Sequence, residues 1–128
     1  MASLSNYLKN KLLDHSLGIA AYTMPTTMYL GLFLTDPTAA NTGIEVSGYG
    51  YARQATTFSA SSSGTSSNTS TEVFTASGGS FGRIKYIGLF DASTSGNLLW
   101  FGPVHVPRRV DSGESLSFIP GSIDLTLG

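Results

Sequence analysis

The chain has 128 residues, enough for one domain with a single core that needs no outside staple. Seven basic residues against eight acidic ones give a net charge of -1, which leaves no cationic footprint for nucleic acid. The absence of cysteine excludes disulfides, thiolate metal sites and cysteine nucleophiles together.

Charged residues are 12% of the chain, against about 25% in an average soluble domain. Gly, Ser and Thr fill the space they leave, as in β proteins rich in turns. A surface so near neutrality promotes association, so part of it is expected to be covered by further copies of the chain or by a partner. No basic segment followed by an apolar core opens the sequence, and no apolar run approaches the ~18 residues of a membrane span. Neither a secretion signal nor a membrane is expected.

In chain order, the spacing predicts a helix over residues 3–17. Ser3 or Ser5 can cap it, Leu4, Leu8 and Leu12 recur at i, i+4 and i+8, and Gly18 follows where a left-handed residue is usual. Lys9, Asn10, Lys11 and Asp14 occupy the opposite side. This amphipathic helix is suited either to closing one end of a β core or to packing on a neighbouring subunit. Pro25 stops any further helix, and a β core is expected over residues 28–127.

Two similar apolar runs, Tyr29-Leu30-Gly31-Leu32-Phe33 and Tyr86-Ile87-Gly88-Leu89-Phe90, are read as central strands and neighbours in one sheet. Gly31 and Gly88 then mark the approach of another backbone or a bulky aromatic, and Phe33 and Phe90 join them as core residues. A phosphate loop is a poor reading, because one glycine inside an apolar strand offers no row of free N–H groups. Asp36-Pro37-Thr38 is good turn chemistry, and the aperiodic stretch to Gly50 reads as a long loop of the kind that usually interacts.

Tyr51 to Phe58 alternates like a strand with one wet face, placing Tyr51 and Arg53 on the same side. Arg53 is expected to lay its stem on apolar surface and pair its head with a carboxylate. Residues 59–71 hold seven serines and three threonines, and are read as a mobile loop or an arm that orders on a neighbour. The strand Leu98 to Val106 carries Trp100, and Pro103 and Pro107 confine it to an edge, a bulge or a broken ladder. The total of about six to eight short strands indicates a single-domain β-sandwich, or barrel-like sandwich, with one N-terminal helix.

No catalytic constellation emerges. His15 lies at the helix end, where it can meet the last carbonyls, and His105 reads as a half-buried strand residue. Asp14, Asp36, Glu45, Glu72, Asp91, Asp111, Glu114 and Asp124 are spread singly, and Asp36, Asp91 and Asp111 look like turn formers. No catalytic, metal-binding or cofactor-binding residue is assigned.

Several stretches resemble one family of small tailed-bacteriophage structural proteins described as tail-fibre-like. They are Ser3-Leu4-Ser5-Asn6-Tyr7-Leu8 with Leu12-Leu13-Asp14-His15, Tyr29-Leu30-Gly31-Leu32-Phe33 with Thr35-Asp36-Pro37-Thr38, Gly50-Tyr51-Ala52-Arg53-Gln54-Ala55, and Gly88-Leu89-Phe90-Asp91-Ala92 with Gly96-Asn97-Leu98-Leu99. The resemblance implies a virion component without catalytic residues, β-rich and assembled in several copies. The leading expectation is a homotrimeric capsid cement or decoration protein, made in the host cytoplasm and set on the particle exterior beside other virion proteins. Leu4, Leu8, Leu12 and Trp100 are then candidate assembly contacts. The alternative is a tail-fibre or spike protein engaged in host attachment, with Tyr49, Tyr51 and Trp100 as candidate contact aromatics.

Overall fold

The computed structural model describes residues 2–127. Nine strands and one helix follow in the order β1 (Ser3–Leu4), α1 (Asn6–Ser16), β2 (Met28–Phe33), β3 (Gln54–Thr56), β4 (Thr65–Ser67), β5 (Glu72–Thr75), β6 (Gly82–Phe90), β7 (Leu98–Val110), β8 (Ser115–Phe118) and β9 (Asp124–Thr126). The main sheet has the order β1-β7-β6-β2-β3, and two ribbons, β4-β9 and β5-β8, complete the architecture. The protein is mainly β and built as a sandwich, as its turn spacing suggested.

The two similar runs are β2 and the second half of β6, and they pair antiparallel at the centre of the sheet with Gly31 directly opposite Gly88. On one face of this pair, Leu30, Leu32, Ile87 and Leu89 enter a core completed by Phe74, Ile123 and Leu125 from the ribbon side. On the other face, Phe33, Phe90 and Leu98 form a second cluster edged by Tyr29, Tyr86 and Phe101. Both faces are therefore covered, which is why the runs are apolar at successive positions instead of alternating.

The glycines make room for aromatic rings. Phe33 and Phe90 stack with centroids 5.9 Å apart. A Cβ on Gly88 would stand 2.8 Å from Phe33 Cε1, 2.9 Å from Leu98 Cδ1 and 3.2 Å from Phe90 Cε1. One on Gly31 would stand 3.3 Å from the same Phe90 atom. The Phe90 ring thus lies over the paired glycines.

Three segments depart from the expectation. The helix starts at Asn6, because Ser5 is its cap: the Ser5 hydroxyl accepts from the Leu8 N–H at 3.2 Å and donates to the Leu98 carbonyl at 2.5 Å. Ser3 and Leu4 instead form β1 on the edge of β7, with Leu4 opposite Trp100. In the Tyr51–Phe58 stretch only Gln54–Thr56 is laddered to β2. The 59–71 segment folds back on its own chain: Ser62 and Thr65 bridge across a turn, Phe58 bridges Asn68, and β4 pairs with β9.

Asn68 explains that order. Its side-chain oxygen accepts from the Ile123 N–H at 2.9 Å, its amide donates to the Ile119 carbonyl at 2.9 Å, and its backbone exchanges further bonds with Ile123 and Gly121. A buried asparagine satisfied on both sides locks the 119–123 turn to the Ser/Thr segment.

Pro103 and Pro107 do what prolines in a long strand must. The β6–β7 register jumps from Ile84 opposite Arg108 to Tyr86 opposite Pro103, so β7 bulges over residues 104–107.

Candidate functional site

The residues that carry polar chemistry meet in the segment from Glu45 to Arg53, whose start lies along the C-terminal half of β2 that β3 leaves unpaired. Leu34 N–H donates to the Ile44 carbonyl and Val46 N–H to the Leu32 carbonyl, so the first part of the segment is stitched to that edge. The Leu32 N–H lies between this stitch and β3, and the Tyr51 hydroxyl accepts it at 3.0 Å. Tyr51 donates its own proton to Glu45 Oε2 at 2.6 Å. Burial first, and then the bond to Glu45, pushes the Tyr51 pKa far above the ordinary tyrosine value, so the phenol stays neutral.

Arg53 completes the cluster. Its guanidinium meets Glu45 through two bonds of 2.8 Å, donates to the carbonyls of Ala92 and Ser95 at 3.0 and 2.7 Å, and lies 3.5 Å over the Phe90 ring. The arginine side chain is only 9% exposed and the glutamate 23%, so this is a largely desolvated bidentate pair. Every polar arm of Arg53 is used within the chain, tying the 45–53 segment to the turn after β6. The cluster is structural: it offers neither a free base nor an anion-binding guanidinium. Arg53 was legible in the sequence, whereas Glu45, eight residues earlier in an aperiodic loop, gave no signal.

The same segment turns one residue outward. Of the three candidate contact aromatics, Tyr51 is held in the cluster, and Trp100 is partly buried against the main core opposite Leu4. Tyr49 is 53% exposed, at the tip between Gly48 and Gly50. Its carbonyl accepts from the Ser77 N–H at 2.9 Å, which holds the tip against the 77–79 turn.

Elsewhere, a groove of about 380 Å³ lies between the β7 bulge and the β8–β9 side, with Ile84, Ile87 and Phe118 among its apolar lining and His105, Arg108 and Asp124 among its polar groups. Asp124 is already engaged by the Ser67 hydroxyl. His105 lies in β7 as expected, but on this bulge it is exposed instead of half-buried. His15 accepts the Tyr22 N–H on Nδ1 at 3.0 Å, fastening the connector after α1. Asp36 and Asp91 accept backbone N–H groups in their own turns, and Asp111 pairs with Arg109. No group of His, Asp and Glu able to hold a metal ion occurs among the described residues.

The candidate assembly contacts are occupied within the chain in different degrees. Leu8 is buried by its own fold, Leu4 and Trp100 face each other across β1 and β7, and Leu12 is half-buried. The apolar side chains that α1 and its connector leave exposed are instead Leu13, Leu17, Ile19 and Met24.

Residues 3–126 match the family described as Podophage GP4 fiber I protein gp80. The chain belongs to that family. No curated protein matches it. As a member of it, the chain is a phage fibre protein, a structural component of the virion. This corrects the leading expectation of a capsid cement role: the match supports the fibre alternative and gives no support to capsid decoration. Gly50–Ala55, one of the stretches that carried the resemblance, supplies Tyr51 and Arg53 to the Glu45–Tyr51–Arg53 cluster.

Proposed function

We propose that this chain is a non-catalytic, homo-oligomeric part of the phage fibre that contributes to host attachment. The family match over residues 3–126 carries this reading. The polar chemistry supports it too, since the buried charged groups are consumed by the scaffold and the histidines are committed to a connector and an exposed bulge. Low charge and the exposed Leu13, Leu17, Ile19 and Met24 favour assembly with further copies. A trimer, assembled in the host cytoplasm before incorporation, is the expected form.

Immunogold electron microscopy of intact particles with antibody against this chain tests the reading. Label on the fibres supports it; label confined to the capsid shell overturns it. Native mass spectrometry of the purified chain is expected to show a trimer at micromolar concentration, and a stable monomer there would remove the oligomer from the proposal.

A further inference from the structure

Three successive residues, Gly48, Tyr49 and Gly50, have positive φ angles of 79°, 56° and 80°. Glycine adopts this left-handed conformation freely, but a tyrosine held there is an outlier that the surrounding structure must enforce. Ser77 N–H holds the Tyr49 carbonyl, Tyr51 N–H donates to the Gly48 carbonyl at 3.0 Å, and the partly buried Tyr51 side chain, bonded to Glu45, anchors the end of the tip. Glycine would meet the same backbone demand without strain, so the phenol ring itself has to be accounted for.

The ring is seated on one face and open on the other. A Cβ on Gly79 would stand 2.3, 2.4 and 2.7 Å from Tyr49 Cε1, Cδ1 and Cζ. Three successive ring atoms can all be that near one point only if the point lies above the ring plane. Gly79 is therefore a bed on which the ring lies flat, and the residue remains 53% exposed. The Tyr49, Ser47 and Ser77 hydroxyls make no hydrogen bond within the chain among the described residues. No charged residue occurs in 46–52 or 76–82, and Glu45, Asp111 and Glu114, which border these segments, are engaged within the chain: Glu45 with Arg53, Asp111 with Arg109, and Glu114 with the Asp111 N–H.

We propose that Tyr49 is a preformed stacking platform for a neutral pyranose ring of a host-surface polysaccharide. A sugar presents a patch of C–H bonds to the negative face of an aromatic ring, and its hydroxyls take up neutral donors and acceptors such as Ser77 at the edge. A rigid tyrosine supplies this contact at low entropic cost, and the pairing of these bordering charges within the chain favours a neutral ligand over an ionic one. The proposal rests on the attachment reading and names its ligand class.

The test uses the full chain, Tyr49→Gly and Tyr49→Phe. Saturation-transfer NMR with methyl glycosides of glucose, galactose, rhamnose and N-acetylglucosamine reads the contact directly. Labelled protein on host cells, untreated or treated with periodate or proteinase K, reads it on the surface. Transfer to pyranose C–H protons is expected for the parent and Tyr49→Phe and not for Tyr49→Gly. Cell binding by Tyr49→Gly should be weaker by about tenfold, while circular dichroism shows the parent's fold. Periodate should abolish binding and proteinase K should spare it. Folded Tyr49→Gly that binds cells like the parent overturns the proposal, as does binding lost to proteinase K and spared by periodate, which would indicate a protein receptor. Immunogold label on the fibres combined with no saccharide transfer would overturn the platform and leave the fibre assignment standing.

Discussion

At the scale of single residues, the two glycines opposite each other in β2 and β6 set the tolerance of the core. Gly88→Ala places a methyl group within 3 Å of two packed side chains, Phe33 and Leu98. We expect it to cost about 1–3 kcal/mol, as overpacking does, read as a lower midpoint in urea denaturation. Asn68 is a second such residue. Asn68→Ala leaves the buried Ile123 N–H without its side-chain partner, while the Ile119 carbonyl keeps the N–H and hydroxyl of Ser122. A loss of about 1–3 kcal/mol is expected for the one unsatisfied group, with faster hydrogen exchange in the 119–123 turn. The glycine pair was legible because a repeated apolar run with a central glycine is a local pattern. Asn68 was not, because an asparagine among serines and threonines looks like loop composition until the chain end folds over it.

At the scale of elements, α1 is held more by its cap and its docking than by its own helical tendency. Eleven residues are too few for a helix to be stable alone in water. Ser5 joins the first turn to β7 through Leu8 and Leu98. Ser5→Ala should cost about 1–2 kcal/mol, the range for losing a cap, and a thermal melt followed by circular dichroism measures it. The helix was visible in its leucine spacing, but its first turn was not: Ser3 and Leu4 satisfy the same spacing and were taken into β1 because the edge of β7 at Trp100 and Phe101 needed a partner. The long strand β7 shows the opposite case, where Pro103 and Pro107 announced an interruption that the register shift then located. The 44–46 stitch to β2 lay beyond sequence reading, since Thr35 to Gly50 has no period to follow.

For the whole molecule, the Glu45–Tyr51–Arg53 cluster couples the fold to alkaline pH. The folded state keeps Tyr51 protonated far above the ordinary value, while the unfolded chain ionises it near pH 10. Above that pH the folded state binds more protons than the unfolded state, so stability falls as pH rises. We expect the urea midpoint to hold below about pH 9 and to decline beyond pH 10, and Tyr51→Phe to flatten the decline while lowering stability at neutral pH. Tyr22, also raised chiefly by burial, adds to the loss in the same direction, so a remnant of the slope should persist in the variant. The sequence by itself determined what depends on neighbours along the chain: the β class from turn spacing, the helix from its leucines, the central strands from their two-sided apolar runs, and the turn role of Asp36 from its Pro-Thr context. Only the tertiary structure decided which carboxylate Arg53 meets, that Gly31 faces Gly88, and that Tyr49 alone of the candidate aromatics is turned outward on Gly79. Those contacts join residues between 8 and 57 positions apart, and their pairing is set by sheet register and by loops closing on one another, quantities that no local period encodes.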